Sequence, residues 1–224
     1  MDQPSWPLPV SVKEEVGVVF SDSGFPGTMT PADVADVLAA FYPGFDRTYY
    51  QRLLQQMELP EKKAIQTFSS GMQVRMKLVA AIVHHPKLLI LDEPTAGLDV
   101  LARRKIHELL QDFMDEGGKQ IVISSHIASD LESLCDDFWM IHNGSIILHE
   151  TVDALLHSYG ILKLSEKEFA ALDPTAAIAY LKDAGGYQVL VSDRQFYEEN
   201  MPQAVMEKGS LDDLILILEE GEKL

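Results

Sequence analysis

Residues 68–99 constrain the fold of this chain most, because they predict a helix, a buried strand and an acidic strand end in direct succession. Ser69 is a good N-cap, and apolar residues recur after it at helical spacing until a proline ends the helix. Leu88 to Leu91 are four consecutive apolar residues, which is typical of a strand buried on both faces. Asp92 and Glu93 follow at its carboxyl end, where open parallel sheets bind their ligands.

Two adjacent carboxylates at a strand end favour chemistry on a metal ion and a phosphate group. Asp92 can hold Mg²⁺ directly or through water, and Glu93 can polarise an attacking water molecule. A bare Asp-Glu-Pro tripeptide more often merely begins a loop, so its interpretation depends on the flanking residues. These comprise Ser-Ser-Gly at 69–71, Thr-Ala-Gly-Leu-Asp at 95–99 and, after a second apolar strand, Ser-Ser-His at 124–126.

This ordered set of motifs resembles the ATP-binding subunit of an ABC transporter. On that resemblance Asp92 is the Walker B aspartate that holds Mg²⁺, Glu93 is the catalytic glutamate, and His126 is the switch histidine that senses the γ-phosphate of ATP. A lone histidine after a strand is more often structural, and it is the Ser-Ser-His context that favours the functional interpretation.

The same resemblance assigns nucleotide contacts to the start of the predicted helix. Ser69, Ser70 and Gly71 match the signature loop, which contacts the nucleotide phosphates of the opposite subunit, and Asp99 closes the D-loop at the dimer interface. The sequence departs from the commoner Leu-Ser-Gly-Gly-Gln, with Met72 in place of the usual polar residue. The serine and the second glycine remain, so the backbone can still approach a phosphate.

A further metal contact is expected after the apolar run Val16 to Phe20, which has strand character. In the family, the loop after this strand carries a glutamine that reaches the metal, and the matching place here is Ser21 or Asp22. Asp22 can bind a hydrated metal ion, although it is equally compatible with a solvated loop carboxylate.

Composition limits the partners and the location. A net charge of −17 argues against nucleic acid as a partner and against docking on anionic lipid. The single cysteine fits a reducing compartment, and no apolar run is long enough to span a bilayer. The N-terminus lacks the features of a signal peptide. We expect a cytoplasmic protein without direct membrane insertion, held at the inner face of the cell membrane by a membrane-spanning transporter subunit.

The fold class predicted is α/β, a P-loop NTPase-like, mostly parallel sheet with a helical subdomain, followed by a small α+β extension. Residues 1–150 are expected to form the ATPase domain, with the helical subdomain at 28–85, and residues 151–224 the accessory extension. In the family the helical subdomain docks on the membrane subunit, whereas ordinary core packing is the simpler interpretation of its apolar residues. Helices are predicted at 31–41, 47–58, 100–115 and 174–184, buried strands at 88–91 and 120–124, and a hairpin around Asn143-Gly144.

The sequence contains no P-loop, G-x-x-x-x-G-K-[ST], whose backbone N–H groups and lysine hold the phosphates of ATP. The only Gly-Lys pair, Gly118-Lys119, is followed by glutamine. We therefore expect an N-terminally truncated ATPase domain with uncovered sheet edges and apolar faces. We do not expect such a chain to hydrolyse ATP on its own.

Two functions remain open. The first is an ATP-binding, ATP-hydrolysing subunit of an ABC exporter, using ATP and Mg²⁺ and pairing with a second ABC ATPase subunit. The alternative is a non-catalytic partner or regulator that contributes its signature loop to an intact ATPase, or a decayed fragment. A DNA-repair or chromosome-structure ATPase is disfavoured, because the long heptad arms of those proteins are missing.

Overall fold

The computed structural model describes residues 8–22 and 24–224. Tertiary contacts divide the chain into two compact units, one ending at His126 and the other formed by Ile127–Leu224. The predicted domain boundary after residue 150 refers to the family domain and stays a prediction.

The first unit is a three-stranded parallel sheet with helices packed against it. Its elements are α1 (Val10–Lys13), β1 (Val16–Val19), α2 (Pro31–Phe41), α3 (Arg47–Gln56), a 3₁₀ turn (Ile65–Thr67), α4 (Ser70–Ile82), β2 (Leu88–Asp92), α5 (Val100–Asp115) and β3 (Gln120–Ser124). The strand order is β1-β2-β3, and both pairings are parallel. The α/β class predicted from the sequence is confirmed.

Local sequence signals account for the helix starts of this unit. Thr30 and Asp33 form a capping box at the start of α2, with proline at its first position. Asp46 caps α3, which ends two residues earlier than predicted, before Glu58 adopts a positive φ. Ser69 caps α4 as predicted.

The predicted burial of the sheet on both faces is wrong for one face. Leu89 and Leu91 are fully buried on the inner face, but Val122 of β3 is 58% exposed and Val18 of β1 is 41% exposed. On α2, Phe41 of the predicted apolar face is 74% exposed. Within the described part of the chain, β3 pairs only with β2, so an edge and a face that parallel sheets normally bury are open.

The second unit contains a two-stranded hairpin and a five-stranded antiparallel sheet. Its elements are α6 (Ala128–Leu134), β4 (Asp137–His142), β5 (Ser145–Thr151), α7 (Val152–His157), β6 (Gly160–Leu164), α8 (Glu166–Ala170), β7 (Ala177–Asp183), β8 (Gly186–Val191), α9 (Arg194–Asn200), β9 (Val205–Glu207), α10 (Leu211–Glu220) and β10 (Glu222–Lys223). Asn143 and Gly144 both have positive φ and close the predicted hairpin of β4 and β5.

The larger sheet has the strand order β10-β7-β8-β6-β9. The segment from β6 to β9 follows the β-α-β-β-α-β sequence of the ferredoxin-like arrangement, and its neighbouring strands are antiparallel. One face packs on α6, α7 and α10, and the other carries a smaller apolar cluster that includes Tyr197 of α9.

The helix predicted at 174–184 is wrong, because this segment is β7. Its apolar residues are compatible with both the helical and the strand period. The segment forms a strand because it pairs with β8 along its whole length. The turn between the two strands is set locally: the Asp183 carboxylate accepts a hydrogen bond from the Gly185 amide at 2.6 Å, and Gly186 has φ 137°.

Candidate functional site

Three parallel strand ends meet at one edge of the first unit's sheet, and Asp92 lies at their centre. It is the last residue of β2 and pairs in register with Ser124 of β3. Its Oδ1 accepts a hydrogen bond from Ser124 Oγ at 2.9 Å, and its Oδ2 accepts one from Ser21 Oγ, just beyond β1, at 3.0 Å. These bonds, Ser124 first, lower the pKa of Asp92 and keep it ionised.

Glu93 leaves the strand through an unusual backbone conformation. Its φ is +48°, a left-handed value that costs a residue with a side chain about 1–3 kcal/mol. Its amide donates to both the backbone oxygen and Oγ of Ser124, each at 3.1 Å. Its half-buried carboxylate then lies beside the exposed His126, with Oε2 2.7 Å from Nδ1. The structure thus brings together three of the predicted site residues, Asp92, Glu93 and His126.

A second group of predicted residues surrounds the start of α4. Ser69 accepts a hydrogen bond from the Met72 amide at 3.3 Å, and Ser69 and Ser70 are exposed. Gly71 is buried, and a Cβ built there would lie 3.2 Å from Cβ of Ala102 on α5. This glycine therefore allows α4 to approach α5 closely, a packing role that stands beside its predicted role in phosphate binding.

Asp99 follows the turn after Glu93 and caps α5. Its carboxylate accepts a hydrogen bond from the Ala102 amide at 2.8 Å. Gly97, with φ 69°, and the bond from the Ala96 amide to the Glu93 backbone oxygen shape the turn between the two acidic positions. The structure explains Asp99 as an N-cap, and its contact with a nucleotide or a second subunit stays a prediction.

Asp22 is exposed, and among the described side chains Ser21 is the one from this loop that hydrogen bonds to Asp92. Lys77 of α4 lies against this loop, and its ammonium donates to the backbone oxygens of Phe20 and Ser21 at 3.0 and 3.1 Å. Burial lowers the pKa of Lys77, and the charge of Asp22 opposes that shift. Sequence reasoning used Ser124 only as part of the Ser-Ser-His motif and gave neither Ser124 nor Lys77 a role of its own. The position of Ser124 at the end of a strand parallel to β2 was the available signal.

The donor atoms at this edge suit Mg²⁺, which binds through one or two carboxylates together with water and phosphate oxygens. Asp92 offers an ionised carboxylate, and the hydroxyl groups of Ser21 and Ser124 lie beside it. In residues 8–22 and 24–224 there is no group of three or more His, Cys, Asp or Glu side chains placed to hold a metal ion alone. Substrate oxygens would have to complete such a site.

Comparisons with known proteins show which family this chain resembles. Residues 8–96 match the ABC transporter family model, a range that includes Asp92 and Glu93 and ends before Asp99 and His126. The ABC transporter ATP-binding protein YtrB of Bacillus subtilis is 30% identical over 66% of this chain and 51% of its own length. The bacitracin transport ATP-binding protein BcrA of Enterococcus faecalis is 32% identical over 63% of this chain and 46% of its own.

Two further matches extend the comparison. The lantibiotic transport ATP-binding protein SrtF of Streptococcus pyogenes is 42% identical over 42% of this chain. A solved structure described as the ATP-binding subunit of an ABC transporter superposes with a TM-score of 0.58 at 27% identity, covering 66% of this chain and 63% of the other. The chain spans about half the length of the curated relatives it matches. In the described part of the chain, no helix has the length and apolar character needed to cross a bilayer.

Proposed function

We propose that this chain, which is similar to the ATP-binding proteins of ABC transporters, takes part in Mg²⁺-dependent ATP hydrolysis that drives a membrane-spanning transporter subunit. The observation that carries the proposal is the pairing of Glu93 with His126 beside an ionised Asp92. A carboxylate that can orient the attacking water and a carboxylate that can hold Mg²⁺ are two of the parts that phosphoryl transfer to water uses.

Each residue has a distinct role in this proposal. Asp92 would hold a hydrated Mg²⁺ ion, which would supply positive charge to the phosphate oxygens. Glu93 accepts a hydrogen bond from the attacking water and orients it toward the γ-phosphate. His126 donates to Glu93 through Nδ1, and Nε2 is the ring nitrogen left to face a phosphate oxygen. Nε2 donates a hydrogen bond there in the imidazolium form, in which both ring nitrogens carry a proton.

We propose that the positively charged groups that hold the phosphates of ATP at this site lie outside these 224 residues. The sequence contains no P-loop, and the side chains at the edge of the sheet are mainly acidic or hydroxyl groups. A triphosphate needs positive charge and backbone N–H donors. We propose that another part of the protein, or another ABC ATPase subunit, supplies them.

The alternative is a half-site partner that presents only its signature loop to an intact ATPase. It is supported by the same missing P-loop and by the exposure of Ser69 and Ser70 at the start of α4. In that arrangement Ser69 acts on a nucleotide held by the other subunit, and Glu93 has no substrate of its own.

One experiment separates the two functions. ATP hydrolysis is measured for the chain alone and with an intact ABC ATPase from the same organism, using wild type, Ser69→Arg and Glu93→Gln. Loss of activity in Glu93→Gln supports hydrolysis at this chain's own site. Stimulation that disappears in Ser69→Arg but persists in Glu93→Gln supports the half-site partner. Absence of hydrolysis and of stimulation in every mixture contradicts both.

The names of similar proteins support a proposal for the partners and the cargo. We propose that the chain lies at the cytoplasmic face of the cell membrane, bound to a membrane-spanning subunit and paired with a second ATPase subunit. Bacitracin and a lantibiotic appear in the names of two relatives, so they are the first cargoes to test.

A further inference from the structure

Ser124 is the only described side chain that the structure bonds to both acidic residues of the candidate site. Its Oγ donates to Oδ1 of Asp92 at 2.9 Å and accepts from the amide of Glu93 at 3.1 Å. A hydroxyl group has one hydrogen to donate and two lone pairs that accept, so both bonds form at the same time. Of the two acidic residues, Ser21, the other hydroxyl beside Asp92, bonds to Asp92 and not to Glu93.

The Ser124 hydroxyl bonds to the amide of Glu93, a residue with a strained backbone conformation. Glu93 has φ +48°, and its amide reaches Ser124 through both the hydroxyl and the backbone oxygen. Neighbouring contacts must hold such a backbone conformation, because it is intrinsically unfavourable. From this conformation the Glu93 carboxylate meets His126 at 2.7 Å.

We infer that Ser124 is a positioning residue that holds the Asp92 carboxylate and the Glu93 turn in one fixed geometry, so that the metal-binding group and the Glu93–His126 pair keep their relative positions. This inference rests on the proposed function for its role in ATP hydrolysis. The positioning itself is a property of the chain and can be measured without a nucleotide.

The first test measures the Glu93 amide and the His126 ring by NMR in wild type, Ser124→Ala and Ser124→Thr, with Ser21→Ala as the matched control. In Ser124→Ala we expect a displaced Glu93 amide signal, hydrogen exchange about threefold to tenfold faster, as loss of one hydrogen bond implies, and a changed His126 ring signal. Ser124→Thr keeps the hydroxyl and restores the wild-type values. Ser21→Ala leaves the Glu93 amide and its exchange rate as in wild type.

Two results overturn the inference: an unchanged Glu93 amide in Ser124→Ala, or an equal change in Ser21→Ala. If circular dichroism shows that Ser124→Ala does not fold, Ser124→Cys replaces it, because a thiol keeps the size of the side chain but is a weak hydrogen-bond partner.

The second test measures hydrolysis in the assembled ATPase. Positioning predicts that Ser124→Ala lowers kcat about tenfold or more while KM for ATP stays within twofold, and that Ser124→Thr recovers kcat. Equal kcat in wild type and Ser124→Ala contradicts the role in catalysis. If the wild-type assembly hydrolyses no ATP, the proposed function fails, and the NMR comparison alone decides whether Ser124 positions the two acidic residues.

Discussion

Nδ1 of His126 lies 2.7 Å from Oε2 of Glu93, although 33 residues separate them in the sequence. The parallel pairing of β2 with β3 creates this contact, since Glu93 and His126 each follow the carboxyl end of their strand. An imidazole in contact with the carboxylate can hold that carboxylate in one orientation, and its other ring nitrogen can hydrogen bond to a nearby phosphate group.

Replacement of this carboxylate should remove hydrolysis and keep nucleotide binding. In the assembled ATPase we expect Glu93→Gln to lower kcat by about 10²–10⁴-fold, the range for loss of a general base. The measurement is single-turnover hydrolysis together with nucleotide affinity. Glu108→Gln on the exposed side of α5, where Glu108 pairs with Arg104, is the matched control and should keep wild-type kcat. Equal losses in both variants would contradict the role of Glu93.

The lowered pKa of Asp92 predicts a pH dependence of stability. Because its pKa is lower in the folded than in the unfolded chain, Asp92 stabilises the fold above its unfolded value of about 3.9. This contribution to the free energy of unfolding is lost as the pH falls through the lower pKa that Asp92 has in the folded chain. We expect the difference in free energy of unfolding between wild type and Asp92→Asn to shrink as the pH falls below about 4. Urea unfolding from pH 2 to 6 measures it, and a difference constant across this range would contradict the prediction.

The packing of Gly71 against Ala102 predicts a coupled pair of substitutions. A Cβ at Gly71 would lie 3.2 Å from Cβ of Ala102, so Gly71→Val should destabilise the fold by about 1–3 kcal/mol through overpacking. In an Ala102→Gly background the added side chain has room, and its penalty should fall. Urea unfolding of the four combinations gives the coupling energy. Additive effects would show that the two helices do not meet at these residues.

Because one face of the sheet is exposed and the other is buried, we expect substitutions on the two faces to differ in their effect on stability. Val122 is 58% exposed, so Val122→Thr should change the free energy of unfolding by less than about 0.5 kcal/mol and reduce self-association. Leu89 on the inner face is fully buried, and Leu89→Ala should destabilise by about 2–5 kcal/mol. Chemical unfolding and light scattering measure both. A large loss of stability in Val122→Thr would mean that this face is covered in the folded chain.

Much of the local structure could be predicted from the sequence because its signals are local. The residues that begin α2 and α4 carry their own caps, and the hairpin turn carries the Asn-Gly pair that adopts positive φ. The segment Ala177–Asp183 was predicted wrongly because its apolar residues fit two periods, and pairing with β8 decided between them.

By itself, the sequence determined the chemistry available to this protein: which residues carry carboxylate, imidazole and hydroxyl groups, and that two of the carboxylates end an apolar strand. Only the tertiary structure decided which of these groups meet. Ser21, Ser124 and His126 reach Asp92 and Glu93 because parallel strands place their carboxyl ends at one edge, and register across a sheet depends on long-range pairing. The tertiary structure also decided which residues are buried. Val122 is exposed although its side chain is apolar, because burial depends on what covers the strand.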